Sequence, residues 1–474
     1  MSARTLFSRF ETSQASYVYD TSTNAILGVP RQLWEQLGTV ERDASQQPAA
    51  NEAVTALQAE GYLQPCEVRT MQFYSPEMLR ERVFNAIPQL TLELTERCNL
   101  RCHYCAFTYD NDRVSQCRAM GRETAVHAVD IFLAHSRQAA TPTISFWGGE
   151  PLLGFRLMRA VIEYANGRAA DRPLRYSFTT NATLVTPAIA AFLARNRVDL
   201  LVSLDGPRHV HDQNRRGKGD TATFDRVIAG LHHLKDADAE YYKTVRFNCV
   251  VARDTDLDEL MQFFADEELT AGHHVSLLPA SRAGLPNSPR TQRYGGLTPS
   301  QLARARTMFV ESRQRRDREL NAAAELYAKQ LQPVALRSRT VLGETIHPNG
   351  CCAPLLRKML VRVNGDVHLC EQPPYKNCLG NVSTGLDLDQ AVRLAMEYAS
   401  RSVAECSRCW AMRLCGACYL DSMTDGRWHP VNRARECAVR RERIRDSLVQ
   451  YAAVCEDNPS AFDYLEGTTF TFPV

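Results

Sequence analysis

The feature that most constrains the fold of this chain is a sixfold alternation of strand-like and helix-like segments between about Leu90 and Ala280. The runs LTLEL, TISFW, YSFTT, LLVSL, VRFNCVV and HVSLL, rich in β-branched, aromatic and other apolar residues, read as strands. Between them, ETAVHAVDIFLAHS, FRLMRAVIEYAN, PAIAAFLARN, FDRVIAGLHHL and LDELMQFF carry apolar residues at helical spacing. This is the pattern of βα units around a parallel sheet or barrel. Six repeats fit an α/β fold with a partial (β/α)6 barrel better than a complete eightfold one.

The flanks differ from this core. In the first 80 or so residues, SYVYD and AILGV are strand-like runs joined by the turn-rich TSTN, and RQLWEQLG and NEAVTALQAEGYL are helical patterns. A separate small unit over 1–80, with two strands and two or three helices, is expected. The stretch SRAGLPNSPRTQRYGGLTPS reads as a loop, and a helical segment from about Pro299 to Leu331 follows it. At 474 residues the chain is too long for one core, so two or three domains are expected. A net charge of +2 gives no bulk attraction to nucleic acid or to an anionic membrane. MSARTLFSRF lacks a signal-like apolar run, and no stretch approaches the roughly 18 uninterrupted apolar residues of a membrane span. A cytoplasmic protein with no nucleic-acid or membrane partner is the expectation.

Sixteen cysteines in a long chain of this kind point to reduced thiols or metal ligands, not to a disulfide scaffold. Cys66, Cys117, Cys249 and Cys455 stand alone, and Cys249, inside VRFNCVVA, reads as an inert buried thiol. Cys98, Cys102 and Cys105 follow the strand LTLEL with the spacing C-x3-C-x2-C, at the strand end where βα folds place their sites. Three thiolates satisfy three irons of a cubane and leave the fourth open, whereas structural zinc wants four closed ligands. Zinc completed by a histidine such as His103, or three unrelated core cysteines, are the alternatives. Nine more cysteines lie between Cys351 and Cys437.

The triad, with Tyr104 before its last cysteine, resembles the signature of the radical S-adenosylmethionine (SAM) superfamily. FWGGEP, with Gly148, Gly149, Glu150 and Pro151, is similar to that family's GGE motif, whose glycines allow close backbone approach and whose glutamate can accept from the SAM ammonium. TTNATLV, with Thr180 and Asn181, and VSLDGP, with Ser203 and Asp205, resemble two further strand-end segments, Ala182 standing where a glycine is usual. HDQNRRGKG makes Arg215 a candidate for the SAM carboxylate, with Ser203 touching the same end; a solvated charge beside Arg216 and Lys218 is the alternative. The resemblance implies a SAM-binding 4Fe-4S cluster and a 5'-deoxyadenosyl radical.

The C-terminal cysteines resemble a SPASM domain, which carries auxiliary 4Fe-4S clusters in peptide-modifying members of that superfamily. By this resemblance Cys406, Cys409, Cys415 and Cys437 hold one cluster, and Cys352, Cys370 and Cys418 hold three irons of another. The pattern departs at Cys418, which follows Cys415 after two residues instead of three. Cys351 and Cys378 are candidates for the remaining ligand, and an open iron that could take a substrate thiolate is the other option. A zinc ribbon on Cys406, Cys409, Cys415 and Cys418 competes with this reading. Glu371, next to Cys370, matches the position of the proposed base in the related anaerobic sulfatase maturases; a surface carboxylate is the alternative. The N-terminal unit resembles a PqqD-like element that binds a leader peptide by adding it to a sheet edge, a plain winged-helix or dimerisation module being the alternative.

The resulting expectation divides the chain into 1–80 leader recognition, 85–300 radical SAM core, 301–345 helical bridge, 346–445 SPASM domain and 446–474 tail. The function implied is maturation of a ribosomally synthesised precursor peptide, leader plus core, through a thioether or carbon-carbon cross-link, with flavodoxin or ferredoxin as reductant. A formylglycine-forming sulfatase maturase and a zinc-stabilised scaffold are the competing functions.

Overall fold

A computed structural model of the chain describes residues 4–42, 52–169, 172–281, 285–317, 319–349, 352–371, 377–424 and 427–465. Cys351 lies outside these residues. The chain divides into two compact units: one of Met1–Arg80, Ala328–Pro354 and Leu388–Val474, the other of Glu81–Tyr327 and Leu355–Asp387.

In the first unit β1 (Phe7–Glu11), β2 (Ser16–Asp20) and β3 (Ala25–Val29) form an antiparallel sheet in that order. The helices Arg31–Arg42 and Glu52–Ala59 follow, and a two-residue strand β4 (Thr70–Met71) comes after them. One face of the sheet buries Phe7 and Val18 against Leu33, Leu37, Val54 and Leu63. Phe10 and Tyr19 pack on Leu414, Leu448 and Ala452 instead. The first 80 residues do not stand alone, because Phe10 and Tyr19 share their core with Leu414 and with Leu448 and Ala452 of the C-terminal helix Pro430–Asp457. That helix also crosses the expected tail boundary at 445: Leu448, Ala452 and Val454 are buried on its inner face.

The second unit holds the βα repeats. β5 (Gln89–Thr95), β6 (Thr143–Gly148), β7 (Arg175–Thr180), β8 (Asp199–Ser203), β9 (Arg246–Val251) and β10 (Val275–Pro279) pair in chain order, each parallel to the next. These are the six expected strands, and since β10 does not pair with β5 the barrel is open. β5 is buried at six consecutive residues, as in a strand covered on both faces, while β7 and β9 bury alternate residues.

After the short β11 (Thr345–Ile346) of the first unit, two further strands extend this sheet to eight. β12 (Met359–Val361) lies parallel to β5, and β13 (Val367–His368) returns antiparallel to β12. Leu355–Asp387 thus belongs with the βα sheet and not with one continuous domain over 346–445. A buried ion network explains the attachment. Arg362 Nε lies 3.0 Å from Glu93 Oε2 and its Nη2 2.9 Å from Glu96 Oε1, which also receives Arg118 Nη2 at 2.7 Å.

Candidate cofactor and metal centres

Parallel strands with crossover helices gather their strand-to-helix loops at the C-terminal edge of the sheet, and the triad occupies the first of them, directly after β5. The loop is fastened along its length to the segment 214–217: Arg101 N donates to Arg216 O (2.6 Å), His103 N to Asn214 O (3.0 Å), and Leu100 bridges Gly217. Cys102 is buried, with Cys98 and Cys105 partly so. Burial pushes the Cys98 thiol up to about 11, and the Cys102 thiol higher still with Arg215 as its main opposing charge. Burial thus disfavours a bare thiolate here, which argues against a reactive free cysteine and leaves a metal as the partner that could hold the charge.

Gly148 and Gly149 act on this loop. Gly148 has φ +141°, and Cβ atoms at the two positions would lie 2.1 Å from Thr95 O and 2.1 Å from Arg97 O. The close approach that the glycines permit is therefore between strand end β6 and the cysteine loop. Gly149 N and Glu150 N donate to the same two carbonyls at 2.9 Å each. Glu150 is buried, accepting from Leu152 N (3.0 Å) and Thr180 Oγ1 (2.8 Å) on one oxygen and Asn181 N (2.8 Å) on the other. Burial raises its pKa, with these donors opposing. Its observed work is to clamp the ends of β6 and β7. Pro151 starts the short turn after it. Asn181 reaches on to Asn99 Oδ1 in the triad loop (2.9 Å), and Ala182 takes φ +55°, the left-handed turn that a glycine would hold more easily.

The end of β8 supplies a second cluster. Asp205 is fully buried; it accepts from Tyr104 Oη (2.9 Å) and Val250 N (3.0 Å), and Arg215 Nε lies 3.0 Å from its Oδ1. Arg215 also sits over the Tyr104 ring at 5.4 Å. At 6% exposure Arg215 is not a solvated surface charge. Arg215 Nε is thus paired with the Asp205 carboxylate, whereas the neighbouring buried Asn214 Nδ2 has no hydrogen-bond acceptor among the described residues. A buried cation and an unpartnered buried donor beside the triad fit a polar, anionic ligand such as the amino-acid end of SAM. Ser203 is buried at the end of β8 in the same region. His211, Asn214 and Tyr294 complete the packing: Asp205 N donates to His211 Nδ1 (3.3 Å) and Tyr294 Oη to Asn214 Oδ1 (3.0 Å). His211 and Asn214 stand in the same HDQNRR run as Arg215 but receive no role from it, and Tyr294 lies outside every motif. His103 Nε2 lies 3.9 Å from Asp220, and it joins no cysteine in a compact metal group among the described residues.

In the other unit Cys406, Cys409, Cys415 and Cys437 line one cavity of about 210 Å³, together with Arg433, Arg440, Met412 and Ile444. Cys418 is not part of its wall; its thiol lies near Cys352. One tetrahedral zinc holds its sulfurs about 3.8 Å apart. Among the described residues no three of the four cavity cysteines come within 4.8 Å of one another. The cavity set is the one the auxiliary-cluster resemblance implies, and it omits Cys418, which the zinc-ribbon alternative needs.

Cys352 and Cys418 belong to this unit and Cys370 to the βα unit. Cys378 sits with Asp366 and His368, their ligand atoms within 4.8 Å of one another, but each is already engaged: Cys378 Sγ with Gly380 O (2.9 Å), Asp366 with Asn364 and Asn381, and His368 with the Asn377 backbone. Glu371 holds Lys358 Nζ at 2.8 and 2.9 Å on its two oxygens.

Residues 92–265 match the Radical SAM superfamily. Among curated proteins, the chain is 26% identical over 187 residues to the cysteine-type anaerobic sulfatase-maturating enzyme of Clostridium novyi, covering 39% of this chain and 49% of that one. It is 28% identical over 184 residues to the radical SAM cyclopropyl synthase TigE of Paramaledivibacter caminithermalis, 36% of each chain. The chain spans about half or less of the length of the first curated relatives it matches. The solved structure described as native anSMEcpe with bound AdoMet superposes with a TM-score of 0.57 at 18% identity, over 80% of this chain and all of that one, a likeness of fold. Residues 92–265 thus match a radical SAM domain and lie in an open α/β sheet, and the cofactors of that family, a 4Fe-4S cluster and SAM, are those the triad and the strand-end residues fit.

Proposed function

We propose that the radical SAM domain of this chain serves a maturase of a ribosomally made peptide, abstracting hydrogen from the peptide to form an intrapeptide thioether or carbon-carbon cross-link. When bound, the cluster and SAM supply a 5'-deoxyadenosyl radical. The chain's own residues do the rest. Cys98, Cys102 and Cys105 would hold three irons; Arg215 and Asn214 offer buried donors to the SAM carboxylate; Asp205 and Tyr104 hold Arg215 in place; and the ends of β6 to β8 keep water from the reacting atoms.

The observation that carries the reading is the second cysteine cavity. Cys406, Cys409, Cys415 and Cys437 converge outside residues 92–265, so the chain invests in a further centre that SAM cleavage alone does not require. The relatives support a peptide substrate class, one named for maturing sulfatases and one for making cyclopropyl groups. The antiparallel sheet β1 to β3 favours a leader-guided substrate, because β3 ends the sheet with a partly exposed edge to which an extended peptide can add. A sulfatase maturase remains the second reading, carried by the identity to the Clostridium novyi enzyme and by Glu371 beside Cys370.

The test pairs 5'-deoxyadenosine with modified peptide, measured side by side, using a leader-containing peptide drawn from a neighbouring short reading frame and a sulfatase-derived Cys peptide. Cross-linked product from the first supports the proposal. Formylglycine from the second, with no change in the first, assigns the sulfatase role instead.

A further inference from the structure

Cys437 lies on the helix Pro430–Asp457, and Arg433 and Arg440 stand four residues before and three after it. Those spacings put all three side chains on one helical face, and all three line the four-cysteine cavity. Arg433 is 3% exposed. Its Nη2 donates to Cys406 Sγ at 3.4 Å, while Nη1 is held by Ser422 Oγ (3.1 Å) and Tyr398 Oη (3.3 Å). The guanidinium also lies over the rings of Tyr398 (5.4 Å) and Trp428 (5.7 Å), which fix its plane. Its nearest carboxylate, Glu405, is at 3.8 Å from Nε and half exposed. Among the described residues Nε has no hydrogen-bond acceptor, nor has Nε of Arg440, whose other nitrogens go to Asp421 and to Gly416 O.

We infer that this helical face is a built-in electropositive wall through which Arg433, assisted by Arg440, raises the reduction potential of a 4Fe-4S cluster at Cys406, Cys409, Cys415 and Cys437. The inference rests on the auxiliary-cluster reading above. Reduction adds one negative charge to the cluster and changes no bond. A buried cation next to a ligating sulfur stabilises that extra charge more than it stabilises the oxidised state, and an N–H donated to the sulfur draws charge off the iron in the same direction. Arg433 has little acid close by to cancel it, while Arg440 is offset by Asp421. Arg433 is thus the larger contributor. Both are positioning residues: they act through the cluster and not on the substrate.

The test is an anaerobic, EPR-monitored redox titration of the full chain with Cys98, Cys102 and Cys105 replaced by Ala, so that only auxiliary signals remain. Arg433→Met should lower the midpoint of one signal by the equivalent of at least tenfold in the oxidised-to-reduced ratio, about 59 mV for a one-electron couple, leaving any other signal in place. Arg440→Met should move the same signal the same way by less. Arg433→Lys, which keeps the charge, should recover most of the loss. An unmoved midpoint in both Met variants overturns the inference, as does a Lys variant as low as the Met one. If Met at 433 prevents assembly, the Lys and Arg440→Met titrations decide by the same signs. Failure of the underlying reading looks different: Cys406→Ser with Cys409→Ser would then remove zinc, or no metal, in place of about four irons.

Discussion

A methyl group on Gly149 would sit 2.1 Å from the Arg97 carbonyl oxygen, a separation that backbone cannot relieve without moving the cysteine loop. Gly149→Ala is therefore expected to cost the triad its metal: about four irons lost and 5'-deoxyadenosine formation abolished, with iron at the other cysteines retained. Iron analysis of the variant beside wild type checks this. His211 gives the pH counterpart. Burial, with Arg215 adding to it, holds its pKa down to about 3, against 6.5 for a free imidazole. Below 6.5 the unfolded chain takes up a proton that the folded chain refuses, so the stability this residue contributes is full above 6.5 and falls with pH toward 3, by about 1.4 kcal/mol per pH unit. Hydrogen exchange of β8 and β9, corrected for its intrinsic rate, should accelerate as pH drops from neutral toward 5. His211→Asn, which keeps an acceptor for Asp205 N but cannot take a proton, should flatten that slope.

Among the elements, β12 depends on Arg362. Glu93 is fully buried and Glu96 nearly so, and both face this guanidinium. Arg362→Met takes the guanidinium away from two buried carboxylates, which is expected to cost about 3–5 kcal/mol. Limited proteolysis should then release Leu355–Asp387 early, and adding Glu93→Leu should restore much of the protection. This strand shows where sequence reading stops. The six βα strands are legible because each is a short run rich in β-branched, aromatic and other apolar residues between helical patterns, and the observed ends fall within two residues of LTLEL, TISFW and their successors. MLV, three residues in a cysteine-rich region, carries no period, and its partner β5 lies far away in the chain. β1, FSRFE, shows no period for a related reason: Phe7 and Phe10, three residues apart, face opposite sides, one packed on Leu33 and Leu37 and the other on Leu448 and Ala452. At the site, the triad, the glycine pair and the aspartate at β8 follow motif spacing. The clamp role of Glu150, the His211 contact and the Arg433 wall depend on side chains that meet only after folding. At the sheet edge, leader binding predicts that adding the peptide slows amide exchange over Ala25–Val29; equal rates with and without peptide argue for a plain structural sheet.

At the scale of the whole molecule, the two units each carry a cysteine centre: the triad in the βα unit and the four-cysteine cavity in the other. Phe10 and Tyr19 share a core with Leu448 and Ala452, so removing the first 80 residues would damage the unit that holds the cavity as well as any leader site. Point variants and exchange, not truncation, separate recognition from chemistry here. Among the described residues no helix is long and apolar enough to cross a membrane. The central claim is that the triad makes this chain cleave SAM. The most direct measurement is 5'-deoxyadenosine released from SAM under reducing, anaerobic conditions, for wild type and for the protein with Cys98, Cys102 and Cys105 all replaced by Ala, with iron counted in both. Wild type should release it, and the triple variant should release none while losing only about four irons; 5'-deoxyadenosine from the triple variant at the wild-type rate would contradict the account.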